Sequence, residues 1–198
     1  MIASMARMGK LLRTVCTLLL VTIMTGACGA TDPVALAQSW EYNVCDVPAL
    51  VDDAMADALD RIHDTGYSVV HYENLPDCED AYARTNVVTH TVRLCKAFFD
   101  MSDEEQVSTL YHELTHIYTA MGEGEFFMLE AHSDTDLRWA VETVGFRQNI
   151  ITLSQLGVDM SDYDYSERAS MLDSYSTAYG DNLDNLTRTL GDMSHMCN

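Results

Sequence analysis

Positively charged side chains are scarce in this chain of 198 residues. Lys and Arg together number 11 against 31 Asp and Glu, so the formal net charge is −20 at pH 7. A surface this acidic repels a phosphate backbone, which excludes nucleic acid as an expected partner. Proline is also rare, with three residues, and no internal repeat is present. Because 47% of the residues are hydrophobic, the composition predicts one compact globular domain.

No apolar run is long enough to span a bilayer as a helix. The longest one, TVCTLLLVTIMTGAC, lies near the N-terminus and follows Arg7, Lys10 and Arg13. Positive charges followed by a short apolar run and small residues are typical of a secretory signal peptide, which we predict over residues 1–27. Its removal takes away three basic residues and no acidic one, so the net charge becomes 8 − 31 = −23.

The residues at the end of the apolar run indicate which type of signal peptide this is. Gly26 and Ala27 stand directly before Cys28, and this arrangement resembles the lipobox of bacterial lipoproteins. The resemblance implies that Cys28 is lipidated and becomes the mature N-terminus. Residues 28–40 would then tether an exported domain to a membrane surface, either periplasmic or at the cell surface. Cleavage near Ala30, followed by secretion, is the alternative.

The chain has no C-x-x-C pair, which argues against a zinc–thiolate site. Two of the six cysteines are not available to the domain, because Cys16 lies inside the apolar run and Cys28 is the lipobox cysteine. The remaining four are Cys45, Cys78, Cys95 and Cys197. An even number in an exported domain predicts two disulfides, with three possible connectivities.

Hydrophobic periodicity predicts a single α+β domain over residues 41–198, with a short sheet packed against a helix. The expected helices cover 46–66, about 103–121, about 126–145 and most of 150–196, and the expected strands cover 67–75 and 85–95. Ser102 and Glu105 form a capping-box pattern that begins the second of these helices.

The segment LYHELTHIY contains the candidate metal-binding residues. It contains His112, Glu113 and His116 in the spacing H-E-x-x-H. Histidines four residues apart on a helix project from the same face, so their ring nitrogens can converge on one tetrahedral metal ion. Glu113 lies beside them, where its carboxylate can take a proton from metal-bound water. The pattern therefore predicts a Zn²⁺ site with a catalytic glutamate.

A third protein ligand is needed for a catalytic zinc site. If the two helices around the glycine turn fold back as an antiparallel hairpin, Glu130 lies level with His116, and Asp134 lies level with His112. We predict Glu130 as the third ligand. Asp134 is the expected acceptor for the second ring N–H of a zinc-bound histidine. As a metal ligand, Asp134 ranks behind Glu130, together with Glu125.

HELTH followed by LEAHSD resembles the gluzincin class of zinc metallopeptidases. The resemblance implies a zincin-like domain with the following site residues: ligands His112, His116 and Glu130, general base Glu113, and outer partner Asp134. A weaker similarity, through VRLCKAFF before STLYHELTH, is to the deuterolysin and lysine-specific endopeptidase group, which uses an aspartate as third ligand. The metzincin pattern is excluded, because no Gly and His follow His116 at its spacing.

These observations predict an exported zinc metallopeptidase that hydrolyses protein or peptide substrates with a zinc-activated water and Glu113 as base. The edge strand of the small sheet is expected to pair with an extended substrate. The alternative is a non-catalytic surface lipoprotein that binds a partner and carries zinc, if any, for stability. A calcium-binding module is less favoured, because the D-x-D-x-D-G loop is missing.

Overall fold

The computed structural model describes residues 46–72, 78, 81–160 and 180–193. The elements, in chain order, are helix α1 (Val51–Asp64), strand β1 (Ser68–Tyr72), strand β2 (Ala83–Asn86), strand β3 (Thr91–Cys95), a 3-10 helix (Lys96–Asp100), helix α2 (Asp103–Glu123), helix α3 (Glu125–Ser133), helix α4 (Thr135–Gln155) and helix α5 (Gly180–Met193). Five α-helices and a three-stranded sheet within these residues confirm the α+β class.

The predicted signal peptide (1–27) and tether (28–40), with Cys28, lie outside the described residues. Among the helices that are described, none combines the length and the apolar character needed to cross a membrane. The assignment of residues 41–198 to one domain stays a prediction.

The sheet has the order β1–β3–β2, in which β3 pairs parallel with β1 and antiparallel with β2. The single strand predicted over 85–95 is wrong, since a turn at 87–90 divides it into the end of β2 and β3. Asn86 Oδ1 accepts hydrogen bonds from the backbone N–H groups of Val88 (3.1 Å) and Thr89 (2.9 Å). An Asn side chain that bonds the following backbone favours a turn over a continued strand.

Helix α2 begins as predicted. The Ser102 side chain accepts from the Glu105 N–H, and the Glu105 carboxylate accepts from the Ser102 N–H, which completes the capping box. The helix then runs through the centre of the fold, where α1, α4, α5 and β2 pack around it. Leu110, Leu114 and Ile117 are fully buried. Complete burial contributes about 1.5–3 kcal/mol for each such side chain, so packing holds the H-E-x-x-H segment in the interior.

The helix predicted over 126–145 is wrong, because two helices occupy this region. Helix α3 ends at Ser133, and Asp134 has an extended backbone (φ −93°, ψ 118°) before α4 begins. Asp134 Oδ1 accepts hydrogen bonds from the backbone N–H groups of Asp136 (2.9 Å) and Leu137 (3.0 Å). Asp134 is therefore an N-cap, which satisfies two N–H groups that have no partner within the helix.

A disulfide joins Cys78 to Cys95 and connects the segment before β2 to the end of β3. This bond is one of those allowed by the sequence. Cys45 and Cys197 lie outside the described residues, so their predicted pairing stays a prediction.

Candidate metal centre

His112 and His116 converge inside the fold. Their Nε2 atoms lie 3.0 Å apart, and both residues are buried, with 8% of their surface exposed. The two rings project from successive turns of one face of α2, as a spacing of four residues requires. Together with Glu113 they form a buried group that could hold a metal ion. This part of the predicted site is brought together by the fold.

A carboxylate from helix α4 approaches both rings. Glu142 Oε2 lies 3.5 Å from His112 Nε2 and 4.0 Å from His116 Nε2. Ligand atoms at 2.0–2.1 Å from a tetrahedral zinc ion are separated by about 3.3 Å from one another. The three separations of 3.0, 3.5 and 4.0 Å bracket this value. Two imidazoles and one carboxylate at these distances could hold a tetrahedral metal ion and leave one position open.

Glu130 does not reach the histidines, in contrast to the sequence-based expectation. It lies near the end of α3 and is exposed to solvent. Asp134, the expected outer partner, is also exposed and caps α4. The other alternative, Glu125, contacts His90 at 2.9 Å on the surface. Glu142, and none of these three residues, is the carboxylate that lies beside the two histidines.

Glu142 and not Glu130 lies beside the histidines because of where the chain turns between the two paired helices. Ser108 contacts Asn149, whereas His116 contacts Glu142, so residues pair in opposite directions along α2 and α4. The antiparallel pairing expected from the sequence is present. However, the partner of α2 at the histidines is α4, whereas Glu130 lies in α3. Helix α3 connects α2 to α4. Glu142, the residue that contacts His116, is therefore twelve positions further along the chain than Glu130. The N-cap pattern at Asp134 was the available signal for this break.

Asn149 sets the tautomer of His112. Asn149 Nδ2 donates to the backbone oxygen of Ser108 (3.0 Å) and to its Oγ (2.7 Å). A carbonyl oxygen only accepts, so the amide nitrogen faces Ser108 and Oδ1 faces His112 Nδ1, at 2.8 Å. Nδ1 therefore carries a proton, which leaves the Nε2 lone pair of the neutral ring for a metal. Asn149 thus makes the hydrogen bond to a histidine ring that the sequence predicts for Asp134.

The second histidine is held differently. His116 Nδ1 is buried and has no hydrogen-bond partner among the described residues. A buried ring nitrogen without a partner costs about 1–3 kcal/mol. Metal coordination through Nε2 would offset this cost, although Nδ1 would still have no hydrogen bond within the described part of the chain.

Gly145 provides the space for the His112 ring. A Cβ at this position would lie 2.6 Å from both Cε1 and Nε2 of His112. It stands one turn after Glu142 and one turn before Asn149, so a single face of α4 carries a carboxylate, a gap and an amide. This combination within eight residues was not recognised in the sequence.

We expect Gly145→Ala to weaken metal binding, because its methyl group must displace the His112 ring. Overpacking of this kind costs about 1–3 kcal/mol, against a gain of about 1 kcal/mol in helix propensity. The matched control is Gly191→Ala in α5, where a Cβ meets nothing within 4 Å. Zinc titration and thermal unfolding of both variants check the prediction. Unchanged zinc affinity in Gly145→Ala would contradict it.

The carboxylate of Glu113 is anchored by the sheet. Thr85, in β2, donates from Oγ1 to Glu113 Oε2 at 2.8 Å. Glu113 is buried, with 5% of its surface exposed. The strand and the metal-site helix are therefore joined at the residue expected to act as base.

The charged groups of the metal centre shift the pKa values of His112, His116 and Glu142. Burial lowers the pKa of His112, but its interaction with Glu142 and the negative charge of Glu113 outweigh burial and raise it to about 8. Burial and the charge of His112 lower the pKa of His116. Burial raises the pKa of Glu142, but its interaction with His112, the charge of His116 and that of Arg138 outweigh burial and lower it to about 2. At neutral pH and without a metal, His112 therefore carries the additional proton of an imidazolium, and His116 is neutral.

We expect metal uptake at pH 7 to release about one proton per ion, because a histidine ligand must be neutral. His112 is protonated below its pKa of about 8, so apparent affinity should rise with pH up to that value and level off above it. Calorimetric titration with zinc in two buffers of different ionisation enthalpy measures the release. No proton release at pH 7 would contradict the assignment of the proton to His112.

No family model matches the chain, and neither a curated protein nor a solved structure matches it. The geometry of the metal centre is therefore the observation that bears on function.

Proposed function

We propose that this chain is an exported zinc metallopeptidase. In this proposal His112, His116 and Glu142 hold the metal, and Glu113 is the general base. The supporting observation is the convergence of three donor atoms from α2 and α4 at separations of 3.0, 3.5 and 4.0 Å. Three protein ligands leave one zinc position for water or substrate, whereas structural zinc sites are closed by four.

A bound zinc ion would supply Lewis-acid chemistry, which acidifies water and polarises the carbonyl of the scissile peptide bond. Glu113 accepts the proton of the attacking water on its carboxylate and passes it to the departing amine as the C–N bond breaks. Asn149 holds the His112 ring in one orientation through Nδ1. Gly145 leaves the space in which that ring lies.

An extended peptide is the substrate class that the sheet favours. Among the described strands, β2 is at one edge of the sheet and pairs only with β3. Backbone groups on a free strand edge can pair with another extended chain. Thr85 lies in this strand and contacts Glu113, so a peptide paired along β2 would pass close to the base. A lipid on Cys28 would place this reaction at a membrane surface.

Metal dependence tests the proposal. The protein is expressed in an oxidising compartment, zinc is counted by mass spectrometry, and cleavage of a peptide library is followed before and after chelation. We expect about one zinc ion per chain, with cleavage lost on chelation and restored by zinc. Zinc without cleavage, together with a large fall in melting temperature on chelation, would favour the non-catalytic surface lipoprotein. A folded chain that binds no zinc would overturn both the peptidase and its metal site.

A further inference from the structure

We propose that Thr85 is a positioning residue for the general base, which it holds through one carboxylate oxygen. This inference depends on the proposed function for the role of Glu113. It assigns a task to a strand residue outside the H-E-x-x-H segment. In this assignment the Thr85 hydroxyl acts through Glu113 and contacts neither metal nor substrate.

The hydrogen bond has a defined direction. Thr85 Oγ1 lies 2.8 Å from Glu113 Oε2 and 3.4 Å from the backbone oxygen of Glu113. A hydroxyl group has one proton to donate, and the shorter contact to a charged acceptor is the stronger one. The hydroxyl therefore donates its proton to Oε2 of the Glu113 carboxylate.

The need for such a partner follows from burial. Glu113 has 5% of its surface exposed. A carboxylate removed from water is costly without a hydrogen-bond donor. Rotation about the last side-chain bond is otherwise broad for glutamate, so a fixed donor at one oxygen selects the plane of the carboxylate.

The strand that carries Thr85 is itself well held. Thr85 is opposite Val92 of β3, and Val92 is fully buried. Packing of β2 on α2 then fixes the distance between the hydroxyl and the carboxylate. The same strand is the proposed pairing edge for the substrate. Alignment of the base and docking of the peptide thus depend on one element.

Three variants test the assignment. Thr85→Val keeps the β-branched shape and removes the hydroxyl, Thr85→Ser keeps the hydroxyl, and Thr91→Val makes the same change at a β3 position whose hydroxyl bonds Thr89. Each is purified as the zinc-bound protein, and zinc content, kcat and KM are measured on a peptide that the wild type cleaves. Loss of a hydrogen bond to a charged group predicts a fall in kcat of roughly 10- to 100-fold for Thr85→Val. KM and zinc content should stay near wild type, Thr85→Ser should restore most of kcat, and Thr91→Val should match wild type. A wild-type kcat in Thr85→Val, or an equal loss in Thr91→Val, would overturn the assignment.

A measurement without turnover separates this inference from the proposed peptidase activity. Acetohydroxamate is titrated into the cobalt-substituted protein and followed by the cobalt absorption bands, in wild type, Thr85→Val, Glu113→Gln and the double variant. A carboxylate beside the metal binds the hydroxamate proton, so Thr85→Val should weaken binding in the wild-type background and have little effect when Glu113 is already replaced. Equal weakening in both backgrounds would show that Thr85 acts independently of Glu113 and would overturn the inference. If this coupling is found in a protein that cleaves no peptide, only the proposed function fails, whereas a chain that binds neither zinc nor cobalt overturns both.

Discussion

Glu142→Ala should remove zinc from the protein, whereas Glu130→Ala should leave it bound. Glu142 Oε2 is within 4.0 Å of both histidine Nε2 atoms, and Glu130 is exposed near the end of another helix. Removal of an outer partner of a metal ligand typically costs about 10- to 100-fold in affinity. The loss of zinc affinity on removal of one of three ligands should exceed that range. Competition with a chromophoric chelator measures the loss.

The two glutamates form a matched pair, since the same substitution is made within two neighbouring helices. Folding is checked in each variant by thermal unfolding of the metal-free protein. Glu142 carries a pKa lowered to about 2 through its interaction with the histidines, so its loss also removes a favourable interaction from the metal-free state. Zinc retained in Glu142→Ala and lost in Glu130→Ala would reverse the assignment in favour of the ligand expected from the sequence.

Glu113→Gln should abolish turnover and keep the metal. The amide preserves the shape of the side chain, but it cannot accept and return a proton as a carboxylate does. General acid–base groups contribute about 10²- to 10⁴-fold to rates, so kcat on any cleaved peptide should fall by at least that lower value. Zinc content should stay at the wild-type level, because the assigned ligands are untouched.

Glu130→Gln is the control for this experiment, as it makes the same chemical change at an exposed position. Its kcat should equal that of the wild type. His112→Ala provides the contrasting case, in which both zinc and turnover are lost. A Glu113→Gln protein that cleaves peptide at the wild-type rate would remove Glu113 from the proposed mechanism.

The parts of the site that could be predicted are local. His112, Glu113 and His116 lie within five residues, and the helical spacing alone places the two histidines on one face. The beginning of α2 was also predictable, because Ser102 and Glu105 satisfy each other's backbone across one turn. Neither inference requires knowledge of how distant segments meet.

Glu142 and Asn149 could not be assigned in the same way. Their positions depend on where the chain turns between α2 and its partner helix. The error of one short helix moves the carboxylate beside His116 by twelve residues, from Glu130 to Glu142, and the acceptor for the His112 ring N–H by fifteen, from Asp134 to Asn149. The sequence-based prediction placed the carboxylate ligand and its outer polar partner at Glu130 and Asp134, and both of these residues are exposed to solvent. Asp134 instead satisfies the free N–H groups at the start of α4, a local demand that interrupts the assumed continuous helix.

By itself, the sequence determined the acidic composition, the α+β class and the pair of histidines with a neighbouring glutamate, because each depends on residue type or on spacing within one element. Only the tertiary structure decided that Glu142 meets the two rings, that Asn149 and Ser108 orient one of them, and that Thr85 holds the glutamate. Those contacts join segments between 26 and 41 residues apart in the chain. They arise from the packing of α4 and β2 on α2, where burial of apolar side chains selects an arrangement that no local pattern specifies.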